Sequence, residues 1–292
     1  MLFTFIDKKI AHSKLNSNCR FHYLDARKGA CLSIFDSAGI GLRMRLENTK
    51  EFYLFVMQVF RKTLTFHRQK QIGFIVLLRQ IMFTGYEALP LIIFIALSIG
   101  GLIILEGNYI LGGFGQSQLV YVILVTVVIR ELSIIITALI VIARSGTAIS
   151  TELGNMIVNN EINLLQSFGI SPISYLVVSR FIGVVVAVFL LTIYFNLAAV
   201  IGGWLFSTIF YPINFGYFVN QFLYHLSFAD IIIFVIKSIV FGTAIALISC
   251  YQGLKVSVAS TEVPQHTIKA AVSSVIAVVV FDIIITALFY IL

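Results

Sequence analysis

The sequence predicts an all-α, polytopic membrane protein with about five transmembrane helices. Hydrophobic residues make up 59% of the 292 residues and charged residues only 11%, whereas charged residues are about a quarter of an ordinary soluble domain. The apolar residues also gather into runs of roughly 20, the length that crosses a bilayer. Fourteen of the 20 Lys and Arg precede these runs, between Lys8 and Arg79. This basic arm indicates the anionic, cytoplasmic side of a membrane and disfavours nucleic-acid binding.

The N-terminal segment, residues 1–47, is mixed and polar, and it is too short to bury a sizeable core alone. Its opening MLFTFIDKKI reaches Asp7 and Lys8 before an apolar core of useful length, so no cleavable signal peptide is expected. Cysteines are scattered, which predicts neither a disulfide framework nor a metal site. We expect a cytosolic segment followed by a membrane domain over 48–292.

The membrane domain opens with a predicted amphipathic helix at about 48–70. Phe52, Phe55 and Val59 recur at helical spacing while charged residues occupy the other faces, which is typical of a helix lying in the membrane interface. A soluble helix packed on a small cytosolic domain is the alternative.

The predicted spans are given by the apolar runs at about 82–105, 118–143, 174–203, 231–250 and 270–292. The third apolar region continues to Phe210, and we expect it to turn along the outer interface at Gly202, Gly203 and Trp204. Between the second and third spans, residues 144–172 are predicted to be a structured loop. It contains a short helix, Glu161–Phe168, stopped by Gly169 and Pro172.

The orientation follows from the distribution of Lys and Arg in the connections. Residues 106–117 and 204–230 contain neither, whereas the other two connections hold Arg144, Lys255 and Lys269. By the positive-inside rule the N-terminus is cytoplasmic and the C-terminus lies on the outer side of the membrane.

Four ionisable residues fall within the predicted spans: Arg130, Glu131, Lys237 and Asp282. A charge in hydrocarbon is costly unless it is paired, so each is a functional candidate. We predict that the four form one polar network whose charges sum to zero. Such a network suits a site beside a lipid head group or a moving gate; a static lock between helices is the other reading, and the sequence leaves both open.

Catalytic motifs are missing from the sequence. It contains no phosphate-binding loop of the type GxxxxGK[ST], no HExxH and no GxSxG, and its five His are scattered. We therefore expect neither ATP hydrolysis nor a directly bound cofactor or metal. The short helix carries apolar Ile162, Leu165 and Phe168, which could dock on a partner protein or belong to an ordinary interfacial loop.

The run RELSIIITALIVIARSGTAISTELGNMIVNNEINLLQSFGISP resembles the signature of MlaE/YrbE-type ABC permeases. In that family an Arg-Glu-Leu within a span leads to a Gly-rich turn, an E-[LI]-G-x-M motif and a helix ending in Gly-x-x-Pro. The similarity extends over about 66–292. The matching residues beyond Arg130 and Glu131 are Arg144, Gly146, Glu152, Gly154, Met156, Gly169 and Pro172. Together with Asn160, Glu161, Leu165 and Phe168, they make up the predicted ATPase-coupling loop.

The resemblance implies the permease subunit of a phospholipid transporter in the bacterial inner membrane. The implied assembly is a homodimer whose 144–172 loops dock on a separate ATPase that uses ATP and Mg²⁺, with an MCE-domain protein outside.

In place of the family's Thr-Glu-Gln this chain has Asn159, Asn160 and Glu161, so the acidic residue is shifted by one position. Residues 32–47 resemble the end of a STAS domain, which adds a STAS-domain protein to the expected partners. An ion-gradient-driven secondary transporter and a non-transporting scaffold are the rival classes.

Overall fold

A computed structural model describes residues 50–64, 72–112, 119–169, 171–210, 214–257 and 259–291. The chain divides into two compact units, Met1–Leu54 and Phe55–Leu292. The described residues are almost all helical and contain no strand. Five helical stretches are long and apolar enough to cross a bilayer: Val76–Ile110, Leu119–Val158, Ile173–Ile209, Phe228–Leu254 and Ser260–Ile291. The predicted fold class and the number of spans are therefore confirmed. The possible STAS remnant lies outside the described residues.

The first helix, α1, covers residues 50–64, within the predicted amphipathic segment. Val59 is buried, and the ring of Phe60 packs edge-on against Phe181 with their centroids 5.6 Å apart. Met57 and Leu64 remain exposed. The helix thus turns only part of its apolar surface toward the bundle, and its position at a membrane interface stays a prediction.

The first span consists of two helices, α2 (Ile72–Gly85) and α3 (Leu89–Gly112), joined by a turn at 86–88. The observed span is longer than the predicted 82–105. Apolar hydropathy marks only the part of a helix that suits hydrocarbon, whereas helical hydrogen bonding continues beyond it.

The second span is one continuous helix, α4 (Leu119–Val158), and the prediction that a loop begins at Arg144 is wrong. Two stretches of α4, Leu124–Leu132 and Ile142–Gly146, are π-helical. Gly146 does not end the helix because it is a packing position: an added Cβ atom would lie 3.1 Å from Ser249 Oγ. Close contact with α8 thus explains why a glycine, which had suggested a turn, occurs within this helix.

Beyond α4 lies the short helix α5 (Glu161–Ser167), which confirms the predicted coupling helix as a structural element. The third span, α6, begins with a π-helical turn at Ile173–Val177 and continues as Val178–Phe210. The predicted turn at Gly202 to Trp204 does not occur. Helix α7 (Phe215–His225) follows, with Asn214 capping its N-terminus. Since α5 and α7 lie at the two ends of α6, they lie at opposite ends of the bundle.

Glycines explain why α6 continues without a break where a turn was predicted. A Cβ atom on Gly202 would lie 2.4 Å from the backbone oxygen of Leu97, and one on Gly100 would lie 2.0 Å from the backbone oxygen of Ala199. Each glycine thus faces the backbone of the other helix, and the backbones of α3 and α6 are in direct contact. Small residues permit such contact between membrane helices, where packing replaces the hydrophobic effect as the driving force.

The last two spans are α8 (Phe228–Leu254) and α9 (Val263–Ile291), linked through a short 3₁₀ turn at Ser260–Glu262. A capping box starts α8: Ser227 and Asp230 exchange side-chain and backbone hydrogen bonds. Helix α8 is central, packing on α6, on α9 and on the second half of α4. Only 11% of the apolar window of α9 is buried, against 56% for α8, so most of α9 is uncovered in a single chain.

We predict that Gly202→Ala weakens the contact between α3 and α6. The new methyl group would overlap the backbone of Leu97, which cannot move as a side-chain end could, and overpacking typically costs about 1–3 kcal/mol. A lower melting temperature of the purified protein in detergent would report the loss. Gly85→Ala is the matched control, because a Cβ atom there meets nothing within 4 Å; equal melting temperatures for both variants would contradict the packing role.

Candidate functional site: a buried ionic cluster and the helix that reaches it

The centre of the site is Lys237 on α8, whose side chain is completely buried among the spans. An unpaired ammonium in this environment would cost several kcal/mol. Two carboxylates from different helices compensate it: Glu131 Oε2 of α4 lies 2.5 Å from Lys237 Nζ, and Asp282 Oδ1 of α9 lies 2.8 Å away. Three spans are therefore joined by one ammonium group.

Thr286, one turn beyond Asp282 on α9, completes what we call the Lys237 cluster. Its hydroxyl group donates to Glu131 Oε1 at 3.4 Å. The cluster of Lys237, Glu131, Asp282 and Thr286 carries two carboxylates and one ammonium, a formal charge of −1. The ammonium is sealed from solvent, but the side chain of Glu131 is 28% exposed and that of Asp282 is 15% exposed. The excess negative charge therefore lies at the accessible edge of the cluster.

Arg130 does not belong to this cluster, although it was predicted to. Its Nη1 atom lies 3.6 Å from Asp230 Oδ1, at the start of α8. Its guanidinium carbon lies 4.3 Å from the ring centroid of Phe289 and 5.2 Å from that of Tyr290, both on α9. Cation–π contacts of this kind stabilise a poorly solvated guanidinium.

The four predicted charges therefore form parts of two sites. Neighbouring residues on a helix point about 100° apart, so Arg130 and Glu131 reach different partners. Both lie in the π-helical stretch Leu124–Leu132, and such stretches are frequent at functional sites. Arg130 is balanced by Asp230, which the sequence analysis missed because it lies just before the predicted span 231–250. The spacing Ser227-x-x-Asp230 could have identified its capping role.

The second half of α4 is tied to neighbouring helices by two further ion pairs. Arg144 Nη2 lies 2.5 Å from Glu87 Oε2, in the turn before α3. Glu152 Oε1 lies 2.9 Å from Arg180 Nη2, and the side chain of Arg180 is buried in α6. Arg144 and Glu152 were predicted in a loop that contacts an ATPase; the structure places both on a helix that they anchor to the bundle.

Other residues of the predicted loop are also packing positions. An added Cβ atom at Gly154 would lie 3.1 Å from Val256, which follows α8, and 3.2 Å from Val263 at the start of α9. Met156 is half-buried against the core. Close packing at Gly154 thus makes this part of α4 belong to the helical bundle and not to a loop.

Helix α5 is flanked on each side by a residue with positive φ. Asn160 has φ 60° and Gly169 has φ 73°, a left-handed conformation that Asn and Gly tolerate best. Glu161 opens the helix in an exposed position, and Pro172 precedes the π-helical start of α6. The predicted helix and both of its stop signals are observed, with the helix ending at Ser167 instead of Phe168.

The exposed apolar surface of α5 differs from the predicted one. Phe168 is 78% exposed, as a docking residue should be, and Leu164 is 58% exposed. Leu165 and Ile162, which were predicted to dock, are half-buried against the core. The four-residue spacing of Leu164 and Phe168 places them on one face, and that spacing is the signal that could have identified Leu164.

A helical bundle with five apolar spans, charges sealed between them and an exposed apolar helix at one end defines an integral membrane protein of the permease type. Residues 77–288 match the family model described as permease MlaE. The chain therefore belongs to the MlaE permease family.

Several named proteins are similar to this chain. A probable ABC transporter permease protein of Rickettsia typhi is 29% identical over 217 residues, covering 73% of this chain and 83% of the relative. The intermembrane phospholipid transport system permease protein MlaE of Haemophilus influenzae is 26% identical and covers 74% of this chain and 84% of its own length. The chloroplastic protein trigalactosyldiacylglycerol 1 of Arabidopsis thaliana is 32% identical over 55% of this chain and 46% of its own.

We predict that Lys237→Met strongly destabilises the protein, because it leaves two carboxylates close together with no cation between them. Breaking a buried ion pair from one side typically costs about 3–5 kcal/mol. The melting temperature in detergent should fall well below that of Lys269→Met, the same change at an exposed position. A Lys237→Met protein as stable as the Lys269→Met control would show that the cluster does not hold the three spans together.

Proposed function

We propose that this chain is the permease subunit of an ATP-binding-cassette transporter that moves phospholipid. It acts as a homodimer in the bacterial inner membrane, with the N-terminus in the cytoplasm and the C-terminus in the periplasm. ATP and Mg²⁺ are used by a separate ATPase subunit that docks on α5, and an MCE-domain protein receives or supplies lipid at the α7 end. A STAS-domain protein is a further expected partner. Membership of the MlaE family and the phospholipid named for the Haemophilus relative support this assignment.

One observation carries the mechanism: α4 is a single helix that connects the docking helix with the ionic cluster. It ends at Val158, three residues before α5, and it carries Glu131 within the same helix. At 1.5 Å per residue, the two ends of this path are roughly 40 Å apart. A displacement of α5 by the ATPase is therefore transmitted along a stiff element into the middle of the bundle.

The ion pairs of α4 determine how that displacement is shared. Glu152 holds α6 through Arg180, and Glu131 holds α8 and α9 through Lys237. A displacement of α5 thus moves α4 relative to α6, α8 and α9, to which it is joined by ion pairs. Ion pairs can break and re-form, so the helices can adopt discrete alternative arrangements. Rigid-body repacking of this kind is a common route from an effector site to a distant one.

The uncovered surface of α9 supports the homodimer. Most of its apolar window is exposed in one chain, and Asp282 on this helix belongs to a cluster with excess negative charge. A carboxylate at a lipid-facing edge is costly. A second subunit that covers α9 removes this edge from hydrocarbon and places the two Lys237 clusters on either side of a shared pathway.

We predict that replacing both Leu164 and Phe168 with Ala abolishes co-purification of the ATPase subunit. The two side chains form the exposed apolar surface of α5 and of the residue that follows it, and apolar anchors that become buried on binding supply most of the energy of an interface. Leu205→Ala, also at an exposed apolar position but on α6 beyond its centre, is the control. Retention of the ATPase by the double variant would exclude α5 as the docking element.

A second prediction tests the cluster directly. Glu131→Gln keeps the size of the side chain and leaves Lys237 paired with Asp282, so folding and ATPase binding should be retained. ATP-driven lipid transfer in reconstituted vesicles should fall roughly fivefold or more, the size of a typical coupling between sites. Glu106→Gln, the same change at an exposed position near the end of α3, should transfer lipid normally.

The outcome of this experiment separates the rival classes. Unchanged transfer by the Glu131→Gln protein would favour a static lock or a scaffold. Transfer that follows an ion gradient without the ATPase would favour a secondary transporter.

A further inference from the structure

Arg180 of α6 is a buried cation with more hydrogen-bonding capacity than the surrounding protein uses. Its side chain is only 6% exposed, and a single nitrogen, Nη2, contacts a carboxylate oxygen, Oε1 of Glu152 on α4, at 2.9 Å. The other two nitrogens, Nε and Nη1, are sealed from solvent and have no hydrogen-bond partner among the described residues. Because all of these nitrogens carry N–H donors and none is an acceptor, the buried group calls for a further acceptor.

The observed contact lies between two stronger ones. A guanidinium binds a carboxylate best through two parallel hydrogen bonds. Two pairs of its nitrogens can form such a fork around Nη2: Nη2 with Nε along the side of the group, and Nη2 with Nη1 at its end. Glu152 contacts the nitrogen that both forks share. A small displacement of the carboxylate in either direction would therefore add a hydrogen bond from Nε or from Nη1, which gives the pair two discrete arrangements.

The two partners differ in how freely they can move. The side chain of Glu152 is 55% exposed, whereas that of Arg180 is almost completely buried. A carboxylate with access to water can shift at low cost, because water replaces the contacts that it gives up, and a buried guanidinium has no such replacement. Arg180 is therefore the fixed member of the pair, and Glu152 moves with α4.

The pair closes the base of the hairpin that presents α5. Glu152 lies about 9 Å along the helix before α4 ends at Val158. Arg180 lies just beyond the π-helical turn Ile173–Val177 that opens α6. Between them lie α5 and its two connections. A displacement of α5 that moves the end of α4 thus reaches this pair before it reaches Glu131.

We propose that Arg180 is a positioning residue for the movement of α4, and that Glu152 exchanges between the two fork arrangements on Arg180 as α5 is displaced. This inference rests on the proposed function, which supplies the displacement. A buried ion pair is a poor source of stability, since well-packed apolar side chains of similar volume often hold helices equally well. An apolar contact lacks two alternative bonded states, and contacts with two discrete states convert a small shift into a defined movement.

The unequal exposure predicts unequal effects on stability when either partner is removed. Arg180→Met removes the buried charge, keeps an apolar stem and leaves Glu152 in contact with water, so the melting temperature in detergent should not fall. Glu152→Gln leaves the guanidinium buried without a carboxylate and should melt at a clearly lower temperature. Arg79→Met, the same change as the first at an exposed position of α2, is the control.

The deciding measurement is the amount of lipid transferred per ATP hydrolysed. The full chain and its ATPase are reconstituted in vesicles of phosphatidylethanolamine and phosphatidylglycerol that contain a fluorescent phospholipid. We expect Arg180→Met to bind the ATPase and to hydrolyse ATP like the unaltered protein, while the ratio of lipid to ATP falls roughly fivefold or more, the size of a typical coupling between sites. Arg180→Lys keeps one cationic contact but not the fork, and its ratio should fall to the same extent. This second variant also decides the case if Arg180→Met does not fold.

The outcomes separate this inference from the proposed function. An unchanged ratio in the Arg180 variants, with the unaltered protein active, would overturn the inference and leave the proposed function standing. A melting temperature of Arg180→Met below that of Glu152→Gln would make the pair a static anchor and would also overturn it. Failure of the unaltered protein to transfer lipid with ATP would refute the proposed function, and with it the displacement on which the inference depends.

Discussion

The arrangement of the spans depends on a single ammonium group placed where water cannot reach it. Lys237 is tolerated in α8 only because Glu131 of α4 and Asp282 of α9 bring carboxylates to it. Apolar packing between membrane helices is weakly selective, since lipid tails are as apolar as the side chains they replace. An ion pair is selective, because any register that separates the charges leaves them unpaired in hydrocarbon. The cluster therefore specifies which faces of three helices meet.

In the function proposed above, α4 has two roles: it transmits displacement, and it carries charged residues of the site. A helix that transmits displacement must be stiff, and α4 runs without a break from Leu119 to Val158. A helix that carries a site must also place specific side chains, and here π-helical stretches coincide with Arg130 and Glu131 and again with Arg144. A π-helical stretch changes the direction of side chains without ending the helix. The ion pairs of α4 are thus placed along one continuous rod.

Much of the fold could be predicted from the sequence because hydropathy reflects the solvent that each segment requires. The five spans, the short helix at Glu161 and the significance of Lys237, Glu131 and Asp282 all follow from that reasoning. The wrongly predicted loop at Arg144 and turn at Gly202 have a common physical cause. A glycine in a sequence suggests a turn, yet it also permits close contact between helices. Gly146 and Gly202 were both misinterpreted in this way, since only the neighbouring helix reveals which role applies.

Which charged residues pair with each other could not be predicted either, because pairing also depends on the neighbouring helices. Arg130 and Glu131 are adjacent in sequence, and nothing in their spacing shows that one meets Lys237 while the other meets Asp230. Leu164 and Leu165 are likewise equivalent in composition but lie on different faces of a helix only seven residues long. Sequence periodicity needs several turns to define a face, and α5 has fewer than two complete turns.

The direct backbone contact between α3 and α6 fixes these two helices against each other. Gly100 and Gly202 leave no layer of side chains between these two helices. Sliding of one helix past the other would therefore produce steric clashes between their backbones. Helices α4, α8 and α9 are joined in addition by the buried ion pairs of Lys237. In the function proposed above, a displacement of α5 is therefore taken up at these ion pairs and not between α3 and α6.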